Sequence, residues 1–323
     1  MADSTQPGTQ SFDSGFPLYI PANKVEEILK ISELIPVIER ALGNFSNRDN
    51  GGIVQPVRSV VPVAKYQGFL GVMPCFSAHE HVLATKLVAF YPTNYDKGLP
   101  THMATLMVFD PENGSLKAIM DGEVITNLRT AAASAVATKY LANPKSQVLA
   151  IIGAGHQARS HHQALSTLFN FTEVNIYSRT LESAEKLSQE IGSTAKACSS
   201  VEEAVKRADI IVTVTFSKVP VLFAKWVKPG AHVNAVGACR PDWQEIDPDL
   251  MRGSVLYVDS REGAMKESGD VILSKAEVYA EVGEVVNGTK EAFCEKTTVF
   301  KSLGMAVEDA VSANLVLAKL RTT

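Results

Sequence analysis

The sequence predicts an α/β protein in which a doubly wound parallel sheet sits beside a separate α+β domain. Three observations predict it. From residue 147 onward, apolar strand-like runs alternate with amphipathic helical stretches. The first of those runs leads through a glycine-rich turn, VLAIIGAGHQA, into a helix. Before residue 127, strand-like runs follow one another with turns too short for crossover helices.

Taken in order, the N-terminal MADSTQPGTQSFDSG is polar, with neither a basic stretch nor an apolar run, and reads as a disordered tail rather than a leader peptide. A helical segment is expected around KVEEILKISELIPVIERAL. Strands follow at VRSVVPVA, GFLGVMPCFS, VLATKLVAFY, MATLMVFD and LKAIMDG, joined by turns such as PENG, so a mainly antiparallel sheet is expected. ITNLRTAAASAVATKYLA is an alanine-rich helix leading into the second half. There QVLAIIG, EVNIYS, TAKACS, DIIVTVT, AHVNAVG and SVLYVDS read as strands buried on both faces, with LESAEKLSQEIG and SVEEAVKRA as helices. The final GMAVEDAVSANLVLAKL is helical and is expected to return to the first domain. The resulting division is 1–127 with 303–323 for the α+β domain and 128–302 for the Rossmann-type domain.

Composition narrows the function. The 323 residues carry 46% hydrophobic and 20% charged residues, enough for more than one core. A formal net charge of -4 gives no general attraction to nucleic-acid or anionic membrane surfaces. No stretch approaches the ~18 apolar residues of a membrane helix. Four scattered cysteines, Cys75, Cys198, Cys239 and Cys294, form no CxxC pair. They suit a reducing compartment, so a cytoplasmic location is expected. No metal site is expected: His79 and His81 lack a third ligand nearby, and His161 and His162 diverge on adjacent helix positions.

In VLAIIGAGHQA, Gly153, Gly155 and Ala158 form the GxGxxA version of the dinucleotide fingerprint. Gly153 permits the tight turn, Gly155 the approach of a pyrophosphate, and Ala158 close packing of helix on strand. The second strand ends in IYSRT, where an NAD site normally carries an acid for the ribose hydroxyls. Ser178, Arg179 and Thr180 are donors instead, and an arginine can hold a 2′-phosphate with two hydrogen bonds. NADPH is therefore the expected cofactor. The competing reading leaves Arg179 as a solvated surface charge.

With these residues in place, a resemblance becomes evident. GGIVQPVRSVVPV, ATKLVAFYP, IMDGEVITNLRTAAASAVATKYLA, IIGAGHQA, WVKPGAHVNAVGACRPDWQEID, VLYVDS, MKESGDV and KTTVFKSLGMAVEDA run in this order over nearly the whole chain. Together they resemble the mu-crystallin branch of the ornithine cyclodeaminase family, whose members are NADPH-dependent ketimine reductases. The resemblance implies a homodimer whose first domain, including the C-terminal helix, binds substrate and dimerises. It implies reduction of cyclic imino acids such as piperideine-2-carboxylate and pyrroline-2-carboxylate, and thyroid hormone as a further ligand. It also implies site residues. Arg58 would hold the substrate carboxylate, with Lys86 beside it near the reacting imine and Glu267 facing the bound ligand; Lys86 and Glu267 are the catalytic candidates. Thr101, His102, Arg129, Gly153, Ala154, Gly155, His156, Gln157, Ser178, Arg179, Thr180, Ser183, Thr215, Phe216 and Val236 would surround NADPH, with Ser302 closing the nicotinamide end. Cyclodeaminases carry a catalytic aspartate where this chain has Cys239, which argues against ornithine deamination.

Read without the resemblance, Arg58 is equally a surface charge beside a turn. Lys86 is more telling, because it interrupts VLATKLVAF, where an amine is costly unless it meets a partner. Desolvation there would lower its pKa and make it a proton donor; an edge-strand lysine reaching solvent is the alternative. Arg129 reads as a phosphate ligand one turn into its helix or as a solvated residue. Glu267 and Asp270, near a helix end, read equally as ordinary surface carboxylates. Two functions stand beside ketimine reduction: a non-catalytic protein that keeps NADPH and thyroid hormone, and ornithine cyclodeamination.

Overall fold

Two sheets are joined by one long buried helix. The computed structural model describes residues 17–48 and 50–321, so the expected N-terminal tail lies outside the described residues. The first sheet contains β1 (Leu18–Ile20), β2 (Ile53–Val54), β3 (Ser59–Val63), β4 (Gly68–Ser77), β5 (Val82–Phe90), β6 (His102–Phe109) and β7 (Leu116–Asp121). Their order is β1-β7-β6-β5-β4-β2, with β3 also on β4. The sheet is antiparallel as expected, except that β1 adds in parallel to β7.

The alternation within β4 and β5 sets two faces. Met73, Cys75, Ala84, Lys86 and Val88 point into the core, as do Leu106 and Val108 of β6. Onto this sheet and one another pack α1 (Ala22–Ile28), α2 (Ile31–Ser46), α3 (Gly122–Leu141) and the last helix of the chain, residues 306–320. The opposite face exposes part of Leu70, Val72, Phe76, Leu83, Leu87 and Met107.

The second sheet is parallel throughout. It holds β8 (Val148–Ile152), β9 (Glu173–Tyr177), β10 (Ala195–Ala197), β11 (Ile210–Thr213), β12 (His232–Ala235), β13 (Val255–Val258), β14 (Val278–Glu281) and β15 (Thr298–Lys301). The order β10-β9-β8-β11-β12-β15-β13-β14 reverses direction between β8 and β11. That reversal opens a crevice at the carboxyl ends of the strands, the usual place for a ligand in this architecture. Between the strands run α4 (His156–Leu165), α5 (Leu181–Ile191), α6 (Val201–Val205), α7 (Pro248–Gly253), α8 (Arg261–Glu267), α9 (Gly269–Ser274) and α10 (Val282–Val286), and α11 (Ala306–Leu320) ends the chain.

α3 explains how the two sheets stay together. It is buried over most of its circumference, with Ala131, Ala132, Ala133, Ala135 and Ala137 fully enclosed. A helix of small residues all round lets backbones approach from every side. It touches β6 of one sheet and β12 of the other. The boundary expected at 127/128 therefore falls inside a continuous helix shared by both units. α11 returns from the second sheet to pack on α2, β4 and β5.

Candidate active site

The β8–α4 turn has the geometry of a phosphate cradle. Gly153 has φ +121°, and a Cβ there would stand 2.8 Å from the Val214 carbonyl oxygen, so only glycine fits. Gly155 caps α4, and a Cβ built on it meets nothing within 4 Å, which leaves open space in front of the helix N-terminus. Ala158 is fully buried against the sheet. Ala154, His156 and Gln157 complete this turn; Gln157 Nε2 donates to Asn127 Oδ1 at 3.1 Å.

The other expected cofactor residues follow the carboxyl ends of successive strands. Ser178, Arg179, Thr180 and Ser183 lie after β9, Thr215 and Phe216 after β11, Val236 after β12, and Ser302 after β15. Arg179 is exposed, and no hydrogen bond or ion pair engages it among the described residues. Ser302 is buried with its hydroxyl unpartnered. An open cradle, an uncommitted arginine and an orphaned hydroxyl along one sheet edge fit a dinucleotide.

Sequence reasoning missed the residue that holds this edge in shape. Glu245, fully buried, accepts Thr215 N at 2.6 Å and Thr215 Oγ1 at 2.5 Å on one oxygen. Its other oxygen accepts Gly237 N at 2.7 Å and Thr213 Oγ1 at 3.1 Å. One carboxylate thus ties the loops after β11 and β12 together. Burial raises its pKa, with the Lys301 ammonium opposing. Asp270, read as a possible surface carboxylate, is fully enclosed, pairs with Lys301 at 3.1 Å and accepts Glu245 N and Ile246 N. It is a structural anchor. Cys239 is half-buried on the same loop, its N–H bonded to Gly237 O.

Facing this edge from the first domain are the charged groups. Arg58 precedes β3 and pairs with Glu267, the last residue of α8, at 2.9 Å. Its Nη2 also donates to the carbonyls of Leu303 and Gly304, at 3.0 and 3.2 Å. It is not the surface charge of the bland reading. Burial raises the pKa of Glu267 and the Arg58 guanidinium opposes that rise. Beneath these carbonyls, the buried Asp259 accepts Leu303 N and Gly304 N at 2.6 and 2.8 Å, so the 303–304 turn is pinned from one side and offered to Arg58 on the other. A cavity of about 130 Å³ borders Arg58, Glu267 and this turn.

Lys86 lies on a central strand, not an edge, and is 2% exposed. It pairs with Asp309 of α11 at 2.7 Å. Arg129 is two turns into α3 and buried, because that helix starts at Gly122 rather than at Ile125. Its Nε meets Asp309 at 2.9 Å and its Nη1 meets Glu308 at 2.7 Å. Gly304, with φ +79°, packs directly on the Arg129 guanidinium, where any Cβ would collide. Burial lowers the Lys86 pKa to about 8, with Arg129 adding to the drop and Asp309 resisting it. His102, half-buried at the start of β6 next to Thr101, is pushed down to about 4 by burial and then by Lys86 and Arg129, so it is neutral.

Aromatic rings bridge the two domains at the mouth: Phe90 of β5 lies 5.9 Å from Phe216 and 6.0 Å from Trp243. Among the described residues no three His, Cys, Asp or Glu side chains gather as a metal site would require.

Known proteins match this chain over nearly their whole length. The chain is 58% identical over 301 residues to ketimine reductase mu-crystallin of Rattus norvegicus, covering 93% of this chain and 96% of the rat protein. Among solved structures, Thermococcus litoralis Δ1-pyrroline-2-carboxylate reductase in complex with NADH and L-proline superposes with a TM-score of 0.89 at 36% identity, covering 94% of this chain and 97% of that one. An archaeal alanine dehydrogenase dimer with bound NAD gives 0.88 at 33%, with 95% and 96% covered. The model of the ornithine cyclodeaminase/mu-crystallin family matches residues 18–323, and the chain belongs to that family.

Proposed function

We propose that this protein reduces the C=N bond of cyclic ketimino acids, of the piperideine-2-carboxylate and pyrroline-2-carboxylate kind, to cyclic L-amino acids at the expense of NADPH. The reading rests on one observation: a buried lysine and a carboxylate-paired arginine converge on the carboxyl edge of a dinucleotide-binding sheet, in a chain 58% identical to a ketimine reductase. The nicotinamide supplies the hydride when bound. Everything else falls to the chain's own side chains.

Arg58 exchanges its internal partner Glu267 for the substrate carboxylate while the Leu303 and Gly304 carbonyls keep the guanidinium aimed. Lys86, with a pKa near the working range, holds a proton at Nζ for the imine nitrogen, which takes it to become the iminium that accepts hydride. The iminium carbon is already electrophilic, so no covalent nucleophile is required. Phe90, Phe216 and Trp243 help keep water from the mouth. Ser178, Arg179 and Thr180, all donors, favour NADPH over NADH. A homodimer is supported by the apolar open face of the first sheet. A cytoplasmic location is supported by four free cysteines, and no helix of the described residues is long and apolar enough to cross a membrane. Cys239 in place of an aspartate disfavours ornithine cyclodeamination.

The test is NADPH oxidation with piperideine-2-carboxylate, in wild type and Arg58→Met. Wild type should turn over, and the variant should raise KM roughly 10- to 100-fold, as loss of a charge-assisted hydrogen bond implies. NADPH affinity should be unchanged. Ammonia release from ornithine and NAD at a comparable rate would overturn the reading.

A further inference from the structure

Lys86 sits in surroundings that disfavour its own charge. Six titratable or charged groups line its surroundings: His102 on β6, Arg129 on α3, Arg58 before β3 and Asp309 on α11 act on it directly, while Cys75 on β4 neighbours Asp309 and Glu308 on α11 pairs with Arg129. Thr126 of α3 adds only a hydroxyl at 3.4 Å. His102 is neutral, and the Cys75 thiol is neutral too, pushed up to about 12 by burial and the nearby Asp309. Arg129 and Arg58 repel the lysine. Glu308 is turned to Arg129, and burial raises its own pKa to about 7. Asp309 alone among these groups contacts Lys86 Nζ with a negative charge, at 2.9 Å from Oδ1 and 2.7 Å from Oδ2.

Asp309 is also held firmly. Its Oδ1 receives Arg129 Nε at 2.9 Å, and the Arg129 guanidinium is fixed on its far side by Glu308 and beneath by Gly304. Burial works against the charge on Arg129, yet Asp309 and Glu308 together keep its pKa above the ordinary value. Both acids lie in the first turn of α11, where the helix dipole favours carboxylates. We propose that Asp309 is a positioning residue for Lys86, its carboxylate shared between the lysine ammonium and the Arg129 guanidinium so that Nζ stays protonated and fixed at the reacting end of the cleft. The inference rests on the reductase reading for what Lys86 does, but not for how Asp309 holds it.

The pH profile of kcat/KM for piperideine-2-carboxylate tests this, with saturating NADPH and wild type beside Asp309→Asn. The asparagine keeps the shape and removes the charge. The alkaline limb should move to lower pH by one unit or more, because the repulsion from Arg129 and Arg58 is then unopposed. The substrate's own ionisation is the same for both proteins and cannot produce the difference. A uniform loss of activity with the limb in place would mean that Asp309 merely supports the fold, and would overturn the proposal.

A second measurement does not use turnover. Urea unfolding at pH 7 is compared for wild type, Lys86→Met, Asp309→Asn and the double variant. Lys86→Met should lower the urea midpoint in the wild-type background, where it costs buried Asp309 one of its two ion-pair partners, and raise it in the Asp309→Asn background, where it removes an uncompensated charge. The same change in both backgrounds would overturn the proposal. Should wild type show no ketimine turnover, the reductase reading falls, and the unfolding cycle still decides the role of Asp309.

Discussion

Arg179 is the side chain on which the proposed preference for NADPH turns. It follows β9 by two residues, exposed and uncommitted among the described residues, where an acid would select NAD. Arg179→Asp should raise KM for NADPH roughly 10- to 100-fold through lost charge-assisted hydrogen bonds and added repulsion. KM for NADH should change little. Steady-state kinetics with both cofactors check this, and a wild-type preference for NADH would sink it. At this scale the glycine turn and the oddity of Lys86 were legible. Gly153, with its positive φ, and the intrusion of Lys86 into an apolar run each break a local rule, and the structure supplies a tight turn for the one and a buried partner for the other. Glu308 and Asp309 were not legible, because acids in the first turn of a helix are ordinary. Glu245 was hidden for another reason: its four donors come from two other segments, and nothing local in PDWQEID announces them.

Among the elements, two buried histidines act as rivets. His161 of α4 bonds through Nε2 to Ser134 of α3 at 2.9 Å and through Nδ1 to Gln157 O at 2.7 Å. His232 of β12 bonds through Nδ1 to Thr298 of β15 at 2.8 Å. Burial pushes both down to about 4. An unfolded histidine takes its proton near ~6.5, whereas these refuse it until about 4. Their stability contribution is therefore complete above pH ~6.5 and is lost as pH falls through that window, since the unfolded state binds the extra protons. The loss approaches the order of 3 kcal/mol per histidine by pH ~4. Chemical denaturation between pH 7 and 4.5 should show it, and His161→Gln should flatten the slope. An unchanged slope would mean that His161 titrates normally. Most of the longer elements were legible from periodicity, but β1, β2, β14, β15 and the short helices α7 and α10 were not. β1 and β2 are three and two residues long, too short for any pattern. β15, TVFK, is fully buried yet ends in Lys301, whose charge looks solvent-facing until Asp270 is found opposite it.

For the whole molecule, the first sheet is unfinished by itself. One face carries the helices, while the other leaves Leu70, Val72, Leu83, Leu87 and Met107 partly open. Beside it, β3 exposes Val60 at 48% and Val61 at 55%. An apolar patch of this kind on a sheet is a surface for association. A second copy placed on a two-fold axis would cover it, and each substitution there would count twice. Leu87→Asp should therefore convert the proposed dimer to monomer, with the dissociation constant rising well over tenfold, as sedimentation would read. A wild-type monomer at micromolar concentration would contradict this surface.

The placement of α11 has a consequence for how the chain is made. The first sheet's core is closed by residues 306–320, yet the whole parallel-sheet unit is synthesised between that sheet and its last helix. While a nascent chain leaves the ribosome, Lys86 and Arg129 have no carboxylates to meet until Glu308 and Asp309 emerge. The N-terminal sheet therefore waits with α1, α2 and α3 to cover it but without the helix that lies on β4 and β5, while the unit that follows it is able to fold first. Such long-range closure slows folding and lengthens exposure to aggregation. For this protein the order of synthesis and the order of completion run in opposite directions.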